Sequence, residues 1–367
     1  AQRFPAYRHR AVHEHNKGGF MVRKTGWMIL AILFFMSPLT TALGAWTNPD
    51  LLYSVAQAEK ILGDGKWVIL DCRGQEVYEK GHIPGAIVLG KKSAKSLLRD
   101  GSARTFQDPG KYEKILGEAG IGNATRVLVY SDMKHKLMDD AFITFWLLEY
   151  LGHTDVHLLD GGFDAWTRAG KPVETAVAKR EPAMFKAQPK QSAFATSEEL
   201  LTLANGTNTN IQLVDCRTKE EFAGYDIRAL RGGHIPNTFK NASHVTYFEQ
   251  KKDEKTGKDV PTGILSEAAV AKALDGLDAN GRVVFLCHSG GRSAYGYFAA
   301  RLMGFTNAAN YDDGWFIWAT NYQKNYPVAD EQWIELARID EAEKKIKSLE
   351  TKVADLEALI KTLTDKK

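Results

Sequence analysis

Short unbroken apolar runs alternate along this chain with stretches in which apolar residues recur every three or four positions. Val283-Val284-Phe285-Leu286 is one such run, the pattern of a strand buried on both faces. Beyond the turn that follows it, Tyr297, Phe298, Leu302 and Phe305 return at helical spacing, with Arg301 between them. The arrangement repeats at a period of roughly 150 residues, a whole-domain distance. VILDCRGQEVYEKGHIPGA (68–86) reappears as LVDCRTKEEFAGYDIRALRGGHIPN (213–237), VLVYS (127–131) as VVFLC (283–287), and LLDGGFDAWTRAGKPV (158–173) as YDDGWFIWATNYQKNYPV (311–328). Each copy runs helix, strand ending in Asp-Cys-Arg, Gly-His-Ile-Pro turn, strand, loop, helix and a Gly/Trp corner. Strands alternating with amphipathic helices predict an α/β class, with a parallel sheet covered on both faces in each copy. The expected boundaries are 46–177 for the first domain and 195–329 for the second. Residues 178–194, with Pro182 and Pro189, read as the linker.

Both ends fall outside this duplication. At the C-terminus, within 330–367, Ile339, Ala342, Ile346, Leu349, Val353, Leu356, Ile360 and Leu363 follow alternating steps of three and four. This is a heptad seam with β-branched residues at a and mostly leucine at d, which predicts a coiled-coil helix. Arg338, Lys345 and Lys352 at g would face Glu343, Glu350 and Glu357 at e of a parallel partner, so the expectation is a parallel homodimer through 336–367. A parallel trimer is the nearest competitor, and a lone helix docked on its own domain is the other alternative. At the other end, residues 1–20 read as an overextended or non-native start. Residues 21–45 join a charged start (Arg23, Lys24) to an apolar core (Trp27–Met36) and the small residues Ala42 and Gly44. That is the pattern of a secretory signal peptide and predicts a periplasmic protein; an uncleaved inner-membrane anchor is the alternative.

Composition removes some function classes. Across 367 residues, 48 basic side chains against 45 acidic ones give a net charge of +3, too balanced for a nucleic-acid partner. The 3 cysteines, Cys72, Cys216 and Cys287, form no metal-ligand spacing, and no metal or cofactor is expected. Cys287 stands out by position, between a buried strand and a helix N-terminus. Free amides and the positive end of the helix dipole favour a thiolate there. Gly290 and Gly291 let the loop Cys287-His288-Ser289-Gly290-Gly291-Arg292-Ser293 fold tightly, and Arg292 adds a fixed positive charge. Cys72 and Cys216 sit inside Asp-Cys-Arg, where burial is the expected role; the alternative for Cys216 is that of a partner thiol to Cys287. Asp215, Arg217, His82 and His234 are expected to tie strand ends and turns together.

Together, Asp-x-Arg, Gly-His-Ile-Pro, the cysteine loop and the Gly/Trp corner resemble the tandem-domain rhodaneses over about residues 46–329. The loop puts four residues between Cys287 and Arg292, where cysteine phosphatases carry five. The resemblance implies two domains, each built on a five-stranded parallel sheet flanked by helices. It also implies a sulfurtransferase that takes sulfane sulfur from thiosulfate or 3-mercaptopyruvate, holds it as a Cys287 persulfide and passes it to a thiol or cyanide-like acceptor. Ser131 stands where Cys287 does in the second copy, so the first domain is expected to be inactive. Family resemblance further marks Arg228 and Arg231 as candidates for binding the substrate anion. The loop matches neither the thiosulfate nor the mercaptopyruvate type, which leaves the donor open. The alternative function is a non-catalytic persulfide carrier or scaffold that delivers sulfur to a partner protein.

Overall fold

A computed structural model describes residues 46–98, 109–134, 138–321 and 323–364. The expected N-terminal extension and signal peptide lie outside the described residues. The first domain contains β1 (Leu52–Tyr53), β2 (Trp67–Asp71), β3 (Ile87–Val88), β4 (Arg126–Tyr130) and β5 (Val156–Leu159). These form one parallel sheet in the order β1-β5-β4-β2-β3. Around it pack α1 (Val55–Lys60), α2 (Gln75–Tyr78), α3 (Ala94–Leu98), α4 (Pro109–Glu118), α5 (Asp139–Tyr150) and α6 (Gly162–Arg168). All of β2 is buried, as its unbroken apolar run requires of a strand covered on both faces.

The second domain repeats this plan with α7 (Ser197–Ala204), β6 (Ile211–Asp215), α8 (Lys219–Phe222), β7 (Arg231–His234) and β8 (Lys240–Asn241). After them come β9 (Phe248–Lys252), β10 (Asp259–Leu265), α9 (Glu267–Leu274), β11 (Arg282–Leu286), α10 (Ser293–Leu302), β12 (Ala308–Tyr311) and α11 (Gly314–Thr320). Its parallel sheet runs β12-β11-β6-β8. The fifth strand shrinks to a single parallel bridge from Phe194 to Asn310. A 3-10 turn ends at Ala193 and Thr196 caps the next helix, so the chain has no length left for a full strand there. β9 and β10 form an antiparallel hairpin that the sequence pattern did not announce.

The Asp-Cys-Arg strand ends act as expected. Arg217 forks onto Asp215, with NH2 2.6 Å from Oδ2, and donates to the Gly233 carbonyl at 2.8 Å. Arg73 makes the matching bonds to Asp71 and the Gly81 carbonyl. His82 stacks on Tyr78 and His234 on Phe222, fixing the Gly-His-Ile-Pro turns.

The two domains share one core. α5 is apolar and buried nearly all round, the signature of a helix with partners on every side. Phe142 stacks on Tyr295 at 4.0 Å, and Phe145 meets Phe298 edge to face at 4.7 Å. At the far end Glu149 accepts from the Tyr297 hydroxyl (2.6 Å) and from Arg301 Nε and NH2 (3.1 Å each). Through α5, therefore, the first domain holds α10, the helix that begins at the cysteine loop.

Past the second domain, β13 (Ala329–Trp333) pairs antiparallel with β7 and runs straight into α12 (Ile334–Thr364). This 31-residue helix is about 46 Å long. Ile339, Ile346, Leu349, Val353, Leu356 and Ile360 along its seam are each more than half exposed. Among the described residues no helix is long and apolar enough to cross a membrane.

Candidate active site

β11 delivers Cys287 to the end of the sheet, and α10 starts six residues later at Ser293. The turn between them is seated on the first residues of α11. The Trp315 amide donates to the Cys287 carbonyl at 2.7 Å, and the Phe316 amide to the His288 carbonyl at 2.9 Å. This approach needs Gly314, whose φ is +63°. A Cβ at that position would lie 2.6 Å from the His288 oxygen and 2.8 Å from the Cys287 oxygen. Gly290, at φ +75°, meets the same restriction, because a Cβ there would lie 2.9 Å from the Asp312 Cα. The Gly/Trp corner and the cysteine loop are thus one packed unit.

Cys287 is fully buried. Ser293 Oγ lies 3.5 Å from its sulfur and 2.5 Å from Asn310 Oδ1, and Asn310 Nδ2 holds the Gly290 carbonyl at 3.1 Å. Arg292 turns onto Glu221 through NH1 (2.5 Å) and NH2 (2.8 Å). Glu221 is 1% exposed and sits in the capping box of α8, where Thr218 Oγ1 accepts from its amide. Burial alone would raise the Glu221 carboxyl, but the hydrogen bonds and charge of Arg292 hold it at about 2. The loop cation is therefore fixed in direction by a permanently ionised partner. His288 is pushed below its ordinary value by burial and then by Arg292, and its ring meets Phe316 at a steep angle. Ser289 is part-buried beside it.

The first domain supplies one wall. A Cβ on Gly291 would collide with Lys95 Nζ and lie 2.9 Å from Asp139 Oδ2. Lys95 and Asp139 are themselves paired at 3.1 Å, and the Tyr295 hydroxyl donates to the other Asp139 oxygen at 3.0 Å. His244 lies near the loop as well, its amide on the Cys216 carbonyl at 3.2 Å and its ring at the edge of Tyr295. Burial, with the charge of Arg292, pulls its imidazole down to about 4.

Of the residues singled out in the sequence, the structure brings the whole 287–293 loop together and sets Arg228 on its rim. Arg228 is half-exposed, bonded to Asp226 at 2.8 Å and 3.9 Å from Glu221. Arg231 is not part of this group. It is 5% exposed, and its guanidinium is spent on the carbonyls of Trp318, Ala319 and Tyr326 and on Glu331. It ties the end of α11 to β13, with four of its five N–H donors engaged there. Ser131 is buried, and its hydroxyl has no hydrogen-bond partner among the described residues. A serine with no base beside it is a poor nucleophile. Glu221, His244, Lys95 and Asp139 were missed. Only Glu221 left a trace, since Val77 stands at its place in the first copy. No cluster of metal-ligating side chains occurs among the described residues.

Comparison with known proteins agrees with this arrangement. The rhodanese-like domain profile matches residues 54–169 and again 196–321. A thiosulfate sulfurtransferase from Corynebacterium glutamicum is 30% identical over 292 residues, which span 76% of this chain and 90% of that protein. Two solved structures share the fold, each at 20% sequence identity. The 3-mercaptopyruvate sulfotransferase SseA from Escherichia coli has a TM-score of 0.57, covering 74% of this chain and 99% of that one. The anaerobic ergothioneine biosynthesis enzyme from Chlorobium limicola has a TM-score of 0.64, covering 77% and 71%. With the domain present in both halves and the cysteine turn in the second, the chain belongs to the rhodanese family as a tandem-domain member.

Proposed function

We propose that this chain is a sulfurtransferase that carries sulfane sulfur on Cys287. The observation that carries the reading is the asymmetry of the two copies. The same packed corner holds a cysteine with Ser293, Arg292 and Glu221 around it in one domain and an unsupported serine in the other. A Cys287 thiolate attacks the outer sulfur of a donor such as thiosulfate. A sulfur–sulfur bond forms to Cys287 and sulfite leaves with the electron pair of the broken bond. With 3-mercaptopyruvate the carbon–sulfur bond would break instead, its electron pair leaving with the carbon as the enolate of pyruvate, which then takes up a proton. The terminal sulfur then lies where the Arg292 charge and the α10 N-terminus stabilise it until a thiol or cyanide-like acceptor removes it. Arg228, on the rim, is suited to guiding an anionic donor. The named relative supports an enzyme over a passive carrier or scaffold.

The intact mass of the reduced protein after incubation with thiosulfate, or with 3-mercaptopyruvate, tests this. Gain of one sulfur atom in the wild type and none in Cys287→Ser is expected; gain in both proteins would overturn it.

Two further parts of the reading concern place and partner. The charged start and apolar core of residues 21–45 support export to the periplasm. The exposed seam of α12, with basic g and acidic e positions, supports a parallel pairing of two copies through 336–367.

A further inference from the structure

Cys216 lies beside Cys287 in a way that motif spacing does not reveal. β6 and β11 pair in parallel, with Asp215 opposite Leu286, so the next residue on each strand is Cys216 and Cys287. The Cys216 amide continues the ladder onto the Leu286 carbonyl at 2.7 Å. Both cysteines fall in one apolar cluster with Val214 and Phe285, whereas Leu213, Val284 and Leu286 belong to the other, so the two side chains leave the same face of the sheet. Neighbouring strands are about 4.8 Å apart, within the Cα separation of about 4.4–6.8 Å that a disulfide accepts. Both thiols are free and fully buried, and the Cys216 sulfur lies 3.9 Å from the Tyr247 hydroxyl and 4.0 Å from the Val214 carbonyl.

We propose that Cys216 is a resolving thiol for the Cys287 persulfide, an inference that rests on the persulfide reading above. The Cys216 sulfur attacks the inner sulfur, that of Cys287. A Cys216–Cys287 disulfide forms, and the bond to the outer sulfur breaks. The outer sulfur departs as hydrosulfide, taking the electron pair of that bond and the Cys216 proton. Two thiol sulfurs are oxidised to a disulfide while the sulfane sulfur is reduced to sulfide, so no outside oxidant is needed. Burial, then the charges of Cys287 and Asp215, raise the Cys216 thiol and keep it protonated at rest. Resolution is therefore slow, and transfer to an acceptor outruns it. When no acceptor comes, the site releases its sulfur once and stays locked until a reducing thiol reopens it.

The test follows the full-length protein by mass without oxygen, after loading with thiosulfate and removal of the donor. The wild type is expected to lose the added sulfur and settle two hydrogens below the reduced mass. One sulfide per chain should be released, and Cys216 and Cys287 should be found in one linked peptide. Cys216→Ser should hold the sulfur about tenfold longer or more, because the internal attacking thiol is gone. Cys216→Ala serves as a second variant should the serine fold poorly, and Cys72→Ser should behave as wild type. Equal persistence of the sulfur in the wild type and the Cys216 variants would overturn the inference and leave the persulfide intact. Failure of both the wild type and the Cys216 variants to gain sulfur would instead remove the persulfide reading, and the inference with it.

Discussion

Arg292 and Glu221, 71 residues apart in the chain, meet in two hydrogen bonds of 2.5 and 2.8 Å. The arginine belongs to the cysteine loop and the glutamate to the short helix after Asp-Cys-Arg, so the pair joins that loop to the neighbouring strand end. The proposed sulfur transfer asks for a charge held still beside the cysteine, and an ionised carboxylate below 2% exposure holds Arg292 so.

Replacing Glu221 tests that pair directly. Glu221→Gln leaves Arg292 without its countercharge and should cost about 3 kcal/mol in urea unfolding, with a loss of sulfur transfer. The acid limb should also change. The Glu221 carboxyl is held at about 2 against an ordinary 4.5, so its contribution is full above 4.5 and fades as pH falls toward 2. A stability–pH curve of Glu221→Gln should lack that part of the wild-type decline.

Asp160 is expected to show the opposite sign. Burial, despite its bond to the Leu265 amide at 3.0 Å, raises this carboxyl from 3.8 to about 6. The folded chain then binds the proton more tightly than the unfolded one, so this contribution is full below 3.8 and is lost as pH rises through 6. Asp160→Asn keeps an acceptor for Leu265. It should be more stable than wild type above pH 6 by about 1–2 kcal/mol, allowing for the partial solvent access of the group. Thermal melts across pH measure the difference; wild-type stability at neutral pH equal to or above that of the variant would contradict it.

Gly314→Ala should damage both stability and activity. The added carbon meets the Cys287 and His288 carbonyls, which are backbone and cannot swing aside. Gly170→Ala is the control, since Gly170 has a similar φ of +67° with nothing within 4 Å of the added carbon. The control should cost about 1 kcal/mol for its backbone conformation alone. Gly314→Ala should cost clearly more and slow persulfide formation, and equal melting shifts for the two would contradict this packing.

The α12 seam is expected to associate copies of the chain. Sedimentation of the protein with and without residues 336–367 should give a concentration-dependent dimer and a monomer respectively. Each exposed g–e ion pair contributes only about 0.3–0.5 kcal/mol, so salt should weaken the dimer modestly, and most of its stability should come from the seam. A full-length protein that stays monomeric at high concentration would rule the pairing out.

Local features were the legible ones. The Cys287 turn could be read because an apolar run, two glycines and a helical period are adjacent in the chain. The long C-terminal helix could be read because the apolar period persists along it. What the sequence hid was partnership across distance. Thr218 and Glu221 are visible as a capping box, but nothing local says that the carboxylate reaches Arg292. Lys95 and Asp139 reach the loop only because α5 packs on α10. Arg231 is ambiguous in the sequence because its position before Gly-His-Ile-Pro suits an anion site, whereas its several donors equally suit the open carbonyls at a helix end, where the fold engages most of them. The hairpin of β9 and β10 escaped notice because Glu249, Gln250, Lys251 and Lys252 are all exposed, so no alternation of burial marks the strand.

The seam between α5 and α10 also bears on the history of such a chain. Once two copies have merged their aromatic faces, neither can be shed without exposing the other's interior to water. The copy that carries Ser131 in place of the cysteine is then held in the chain by that packing, and its surface near Cys287 is free to drift. Lys95 and Asp139, pressed against Gly291, stand where such drift would first be felt.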